Sequence, residues 1–104
     1  SVPFADGTMC NVGYDRERNS FWKVPFEPIS ANYPGAGDVF SSVLVGSLMN
    51  GESLPIAINR ATTFCEIAVR TTYGYSSEKR NGIMIEKCLD WLITRPTLYQ
   101  YETL

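Results

Sequence analysis

The sequence predicts an α/β fold in which a β-hairpin leads through a glycine-rich turn into three helices, and three observations carry that expectation. Residues 8–26 hold two short runs of β-forming side chains around a polar break. Residues 33–38 place Gly35 and Gly37 just ahead of an apolar stretch. From residue 38 to 94, apolar side chains recur at three- and four-residue intervals, the spacing of helix faces.

The first strand is Thr-Met-Cys-Asn-Val-Gly-Tyr, residues 8–14, and the second is Ser-Phe-Trp-Lys-Val-Pro-Phe, residues 20–26, joined by Asp15-Arg16-Glu17-Arg18-Asn19. Pro25 cannot donate to a ladder and marks an edge strand or a strand end. A connection over 27–34, with Pro28 and Pro34, delivers the chain to the turn at 33–38. Helix one is expected from about Asp38 to Met49, with Val39, Phe40, Val43, Leu44, Leu48 and Met49 apolar, and Asn50-Gly51 stops it through a left-handed cap. Ser53 caps the second helix, Pro55 sits in its first turn, and Ile58, Ala61, Phe64, Cys65, Ala68 and Val69 face inward before a stop near Tyr73-Gly74. A polar loop follows over 74–81. The third helix is expected over about 83–93, with Ile85, Cys88, Leu89 and Leu92 inward and Pro96 ending it. The tail, residues 97–104, has no clear pattern.

With nine basic and eleven acidic residues the net charge is −2 and neither sign is clustered, which excludes an electrostatic footprint for nucleic acid or an anionic membrane. Cys10, Cys65 and Cys88 are widely spaced and there is no histidine, so no zinc ligand set is present and the residues themselves give no metal site. The cysteines are read as reduced thiols of a cytoplasmic protein. No apolar run is long enough to cross a bilayer. Asn11, Asn19 and Asn50 are read as turn and cap residues. Trp22 and Trp91 are read as packing groups, and Arg16, Arg18, Arg70 and Arg80 as solvated surface charges.

The turn carries the chemistry. Pro34 fixes φ, and Gly35 and Gly37 allow the backbone to approach a ligand closely. At the start of the helix the N–H groups of Gly35, Ala36, Gly37 and Asp38 have no intrahelical acceptor, and with the positive end of the helix dipole they suit an anion. Asp38 places a carboxylate at the rim, where it can take a proton from an attacking hydroxyl. The same residues also suit a plain helix start, with Asp38 accepting a bond from an N–H two or three residues on.

Taken as one block, residues 33–64, from Tyr33-Pro-Gly-Ala-Gly-Asp-Val-Phe through the Gly51-Glu52-Ser53-Leu54 break to the helix with Ala57, Ala61 and Ala68, resemble the C-terminal signature of the ribokinase-like small-molecule kinases. The block looks most like the branch of the pyridoxal, pyridoxine and pyridoxamine (vitamin B6) kinases, and the likeness, looser toward the C-terminus, covers most of residues 9–94. The resemblance implies Asp38 as the general base on a substrate hydroxymethyl group, and Gly35, Ala36, Gly37 and the Asp38 N–H as an anion hole beside the γ-phosphate of ATP. It also implies Mg²⁺ as the metal accompanying ATP. The neighbourhood of adenine would be the stretch 26–31 and the start of helix two near 59–63. Ala36 departs from the Thr that the B6 branch often has, and Asn32-Tyr33 lacks the Asp-Thr pair of many sugar kinases.

The substrate-binding segments, the first parallel strands and the acidic residues that position magnesium have no counterpart here, so residues 1–104 are expected to be the C-terminal part of a longer kinase. The implied activity of the whole is ATP-dependent phosphorylation of a vitamin B6 vitamer at its 5′-hydroxymethyl group. Hydroxymethylpyrimidine, a sugar or a nucleoside is the alternative acceptor, and a non-catalytic self-associating module is the alternative for the chain alone. Helices that would cover a parallel sheet leave an apolar face without its partner, which points to a homodimer or other self-association.

Overall fold

The computed structural model describes residues 1–27, 33–75, 82–93 and 101–104. Four strands, β1 (Val2–Pro3), β2 (Met9–Asp15), β3 (Ser20–Phe26) and β4 (Glu102–Thr103), form an antiparallel sheet in the order β1-β2-β3-β4. Two helices, α1 (Ala36–Met49) and α2 (Leu54–Gly74), pack against each other, and α2 lies on the sheet. This is a mixed α/β architecture built around the hairpin, turn and helices that the sequence predicts.

The hairpin pairs Met9 with Phe26 at one end and Asp15 with Ser20 at the other. Its turn is closed locally: the Asp15 carboxylate accepts the N–H groups of Glu17 (3.0 Å) and Arg18 (3.3 Å), and the Tyr14 hydroxyl donates to Asn19 Oδ1 at 2.9 Å. Asn19 takes φ 50°, a left-handed conformation that asparagine tolerates well, so its turn role holds. The two faces of the hairpin differ. Val24 is buried on the face that turns Asn11 and Gly13 toward α2, whereas Cys10, also buried, shares the opposite face with the exposed Val12, Tyr14 and Phe21, the Tyr14 and Phe21 rings lying 4.6 Å apart. Gly13 lies under α2, where an added Cβ would occupy the space of Ile58 Cδ1, so the absent side chain sets how closely helix and sheet approach.

The outer strands are absent from the sequence reading. β1 pairs Val2 with Cys10 and Pro3 with Met9, and β4 pairs Glu102 with Lys23 and Thr103 with Trp22. The Leu104 N–H extends the second pairing to Phe21 O at 3.0 Å. Residues 101–104, read as part of a patternless tail, therefore add a strand. Only two residues long, such strands are held by backbone bonds and carry no periodicity to detect. Pro25 lies one residue before the end of β3 and beyond the stretch that β4 covers, so its missing N–H costs no ladder bond on that side.

Helix α1 begins at Ala36, two residues ahead of the predicted Asp38, because Gly35 at φ 89° forms the N-cap. Gly51 at φ 87° and the bonds Gly51 N–H to Leu48 O (3.0 Å) and Glu52 N–H to Ser47 O (3.1 Å) close its other end as expected. Ser53 is the N-cap of α2 and its carbonyl accepts the Ala57 N–H at 2.9 Å, but its hydroxyl makes no capping bond. Along α2 the side chains of Ile58, Ala61, Phe64 and Ala68 are buried on one stripe, the face that the sequence predicts. On α1 the side chains of Val45, Leu48 and Met49 are exposed.

The expected third α-helix does not form. Residues 82–93 instead make two 3₁₀ turns, Ile85–Lys87 and Leu89–Ile93, leaving Ile85 and Leu89 exposed and Cys88 buried. So short a segment, rich in β-branched Ile, is marginal as an α-helix, and tertiary contacts decide its path. Arg60 donates to Leu92 O at 2.6 Å and lies over the Trp91 ring at 5.6 Å, while Met84 N–H donates to Thr72 Oγ1 at 2.9 Å. Trp91 packs 6.0 Å from the Phe64 ring, which supports its reading as a packing group. The principal core joins Phe64, Ala68 and Cys88 with Val39, Val43, Ile67, Ile83, Trp91 and Leu92, so it ties both helices to the C-terminal segment. Most of the connection at 28–32, the loop from 76 to 81 with Arg80, and the tail from 94 to 100 with Pro96 lie outside the described residues.

Candidate active site

The predicted turn is the amino end of α1. Tyr33 is buried, and its carbonyl accepts the Ala36 N–H at 3.3 Å. The Gly35 carbonyl accepts the Val39 N–H at 3.0 Å, which is the first helical bond. Between them, the N–H groups of Gly35, Gly37 and Asp38 make no hydrogen bond to any described residue. Of the four amides expected to form an anion hole, one is thus used inside the turn and three remain as donors. Gly35 permits this arrangement: its φ of 89° turns the chain into the helix within one residue, and no heavy atom lies within 4 Å of where a Cβ would be.

A cavity of about 550 Å³ opens beside this helix start. Ala36, Gly37 and Phe40 of α1 form one wall, Met9, Asn11 and Phe26 of the sheet a second, and Thr62, Cys65, Glu66 and Val69 of α2 a third. Apolar side chains (Met9, Phe26, Phe40, Val69) and polar ones (Asn11, Glu27, Ser41, Thr62, Glu66) share the walls about equally. Phe26 and Thr62 come from the two stretches expected near a base; residues 28–31 of the first stretch lie outside the described residues.

Asp38 is exposed and stands next to the cavity wall rather than in it. Its carboxylate makes no hydrogen bond to a described residue, and its backbone carbonyl accepts the Ser42 hydroxyl at 2.8 Å. The carboxyl is therefore not consumed as a helix cap. It is presented to solvent at the same turn as the amides that bond no described residue.

Several groups that shape the cavity carry no signal in the sequence. Asn11 is in the middle of β2, not in a turn, and its side-chain amide donates to Thr62 Oγ1 at 2.8 Å, fastening the sheet to α2 at the cavity wall. That bond joins residues 51 apart in the chain, and neither partner announces the other. Glu66 accepts the Glu27 N–H at 3.1 Å, and Arg70 pairs with Glu27 at 3.0 Å and Glu66 at 3.7 Å, so Arg70 is engaged at the rim instead of standing free for phosphate. These exposed pairs add little stability but fix the end of β3 against α2. The Cys65 thiol points to Ala36 O at 3.8 Å, and burial pushes its pKa up to about 11, which keeps it protonated and poorly nucleophilic at neutral pH. No group of three or more His, Cys, Asp or Glu among the described residues can hold a metal ion, and no helix among them is long and apolar enough to cross a membrane.

No family model matches the chain, and no curated protein sequence matches it. Solved structures do. All of the chain superposes on 36% of a Bacteroides thetaiotaomicron protein described provisionally as a phosphomethylpyrimidine kinase, with TM-score 0.93 and 42% identity. An orthorhombic crystal form of a protein of that description, with pyridoxal, matches 89% of the chain over 32% of its own length at TM-score 0.83 and 44% identity. Pyridoxal kinase from Lactobacillus plantarum shares the fold over 89% of the chain and 33% of its own length, with TM-score 0.77 at 22% identity. The structural neighbours are thus small-molecule kinases of the ribokinase-like superfamily, and the chain spans about a third of the length of each.

Proposed function

We propose that this chain is the C-terminal, nucleotide-binding part of an ATP-dependent kinase that phosphorylates the 5′-hydroxymethyl group of a vitamin B6 vitamer. The observation that supports it most is the pairing of Gly37 and Asp38 amides that bond no described residue, at the amino end of a 14-residue helix, with a cavity lined by Ala36 and Gly37. A triphosphate would lay its base against the Phe26 and Val69 side chains and bring its terminal phosphate to the helix start.

The chemistry follows from the groups at the turn. The substrate hydroxyl oxygen attacks the γ-phosphorus as Asp38 takes its proton; the new O–P bond forms while the bond to the β,γ-bridging oxygen breaks, releasing ADP. Charge on the transferring phosphoryl oxygens is held by the Gly35, Gly37 and Asp38 amides, which are already oriented by the helix. Magnesium is the usual companion of ATP in such transfers, but the described residues contain no cluster able to hold a metal ion, so no step is derived through it.

The acceptor is assigned by resemblance to the B6 kinase branch, and one finding favours a second acceptor of the same kind. The 42%-identical neighbour is described provisionally as a phosphomethylpyrimidine kinase, so a pyrimidine acceptor, phosphomethylpyrimidine as well as the hydroxymethylpyrimidine alternative, belongs beside the vitamers in any test. Incubating the full-length protein with ATP–Mg²⁺ and a panel of pyridoxal, pyridoxine, pyridoxamine, hydroxymethylpyrimidine, phosphomethylpyrimidine, ribose and adenosine is expected to give the highest kcat/KM with a vitamer. Turnover of none of them would remove the proposal, and preference for a pyrimidine would reassign the acceptor while leaving the phosphoryl transfer. The exposed Val45, Leu48 and Met49 on α1 further support self-association of the chain when it stands alone.

A further inference from the structure

The glycine turn is braced by a segment from the far end of the chain, and we infer that Gly82 is a positioning residue for the phosphate-binding amides; the inference rests on the kinase proposal above. Gly82 is buried with φ 74°, and a Cβ there would stand 3.0 Å from the Pro34 carbonyl oxygen and 3.9 Å from its carbon. Carbon-to-carbonyl-oxygen contacts are ordinarily about 3.3–3.6 Å, so the glycine allows an approach that no other residue could make unshifted. The oxygen concerned belongs to the peptide that joins Pro34 to Gly35. Moving it rotates that peptide, and the next residue is the N-cap from which the Gly37 and Asp38 amides take their direction.

Neither side of the contact is free to yield. Two residues beyond Gly82, the Met84 N–H donates to Thr72 Oγ1 at 2.9 Å, and the Thr72 hydroxyl donates to Ala68 O at 2.8 Å, all on the inner side of α2 where Thr72 is fully buried. On the other side, the proline ring locks the Pro34 φ, and the Ala36 N–H ties the turn to the carbonyl of buried Tyr33. The Gly82 segment is thus pinned to α2 and presses its backbone against the turn. Donors that stabilise charge in a transition state lose effect when displaced by a fraction of an ångström to an ångström, so a methyl group at position 82 should act on turnover from outside the cavity.

The test uses three variants of the full-length protein. Gly82→Ala adds the Cβ and strains the backbone. Gly82→Asn adds the same Cβ at a φ that asparagine tolerates. Gly51→Ala places comparable strain at φ 87° where nothing lies within 4 Å, at the opposite end of α1. Both Gly82 variants are expected to lose about 10- to 100-fold in kcat with KM for ATP changed less than about threefold, and Gly51→Ala is expected to keep the parental kcat. A kcat within about twofold of the parent in either Gly82 variant overturns the inference, as does a rise in KM alone. Failure of both Gly82 variants to fold while Gly51→Ala folds also overturns it, because the contact then serves the fold and not the site. Absence of phosphoryl transfer in the unsubstituted protein, by contrast, removes the kinase proposal, and the role of Gly82 falls with it.

Discussion

Asp38→Asn in the full-length protein is expected to lower kcat by about 10²–10⁴-fold while leaving KM for ATP within a few-fold of the parent. The substitution keeps the shape of the side chain and leaves the Asp38 N–H in place, so the anion site at the helix start survives. What it removes is the exposed carboxylate, which no described residue engages and which stands at the turn where the hydroxyl proton must be taken. A loss confined to kcat identifies a group that acts in the transition state rather than in nucleotide binding. Steady-state kinetics with the preferred acceptor measure it. Retention of more than about a tenth of the parental kcat would show that another group takes the proton.

The second large effect concerns stability. Phe64→Ala is expected to cost about 3–5 kcal/mol, a large share of the roughly 5–15 kcal/mol by which domains are stable. Phe64 is 1% exposed and is the largest fully buried side chain among the described residues. It meets Trp91 from the C-terminal segment at 6.0 Å and shares a cluster with Val39 and Val43 of α1, so its removal leaves a cavity where α1, α2 and residues 82–93 converge. Because Val39 directly follows Asp38, the loss should also loosen the anchoring of the helix start. Urea denaturation followed by circular dichroism measures it, and a shift below about 1 kcal/mol would mean that these elements are not held by this cluster.

Much of this architecture can be read from the residues, for physical reasons that also explain the misses. The hairpin is legible because β-formers flank a turn whose Asp15 carboxylate accepts nearby N–H groups and whose Asn19 tolerates a positive φ, and α1 is legible because Gly35 and Gly51 supply the positive φ values at its two ends. Local chemistry is enough for such features. The third helix is misread because apolar spacing over 83–93 says nothing about the pull of Arg60, Thr72 and Phe64 on that segment. Strands β1 and β4 are invisible because two-residue pairings are made by backbone alone. At the proposed site, Gly35, Gly37 and Asp38 stand out because two glycines and a carboxylate at a helix start suit an anion site as well as a plain helix start, and the resemblance favours the first. Asn11 with Thr62, and Gly82 with Pro34, do not stand out, because each pair is brought together only by the packing of α2.

The most direct measurement is a crystal structure of the full-length protein with a non-hydrolysable ATP analogue. The account predicts a terminal-phosphate oxygen within about 3.2 Å of the Gly37 and Asp38 nitrogens, the base along Phe26 and Val69, and the Asp38 carboxylate on the side from which the acceptor approaches. A nucleotide bound elsewhere, with those amides bonded to protein carbonyls, would contradict it.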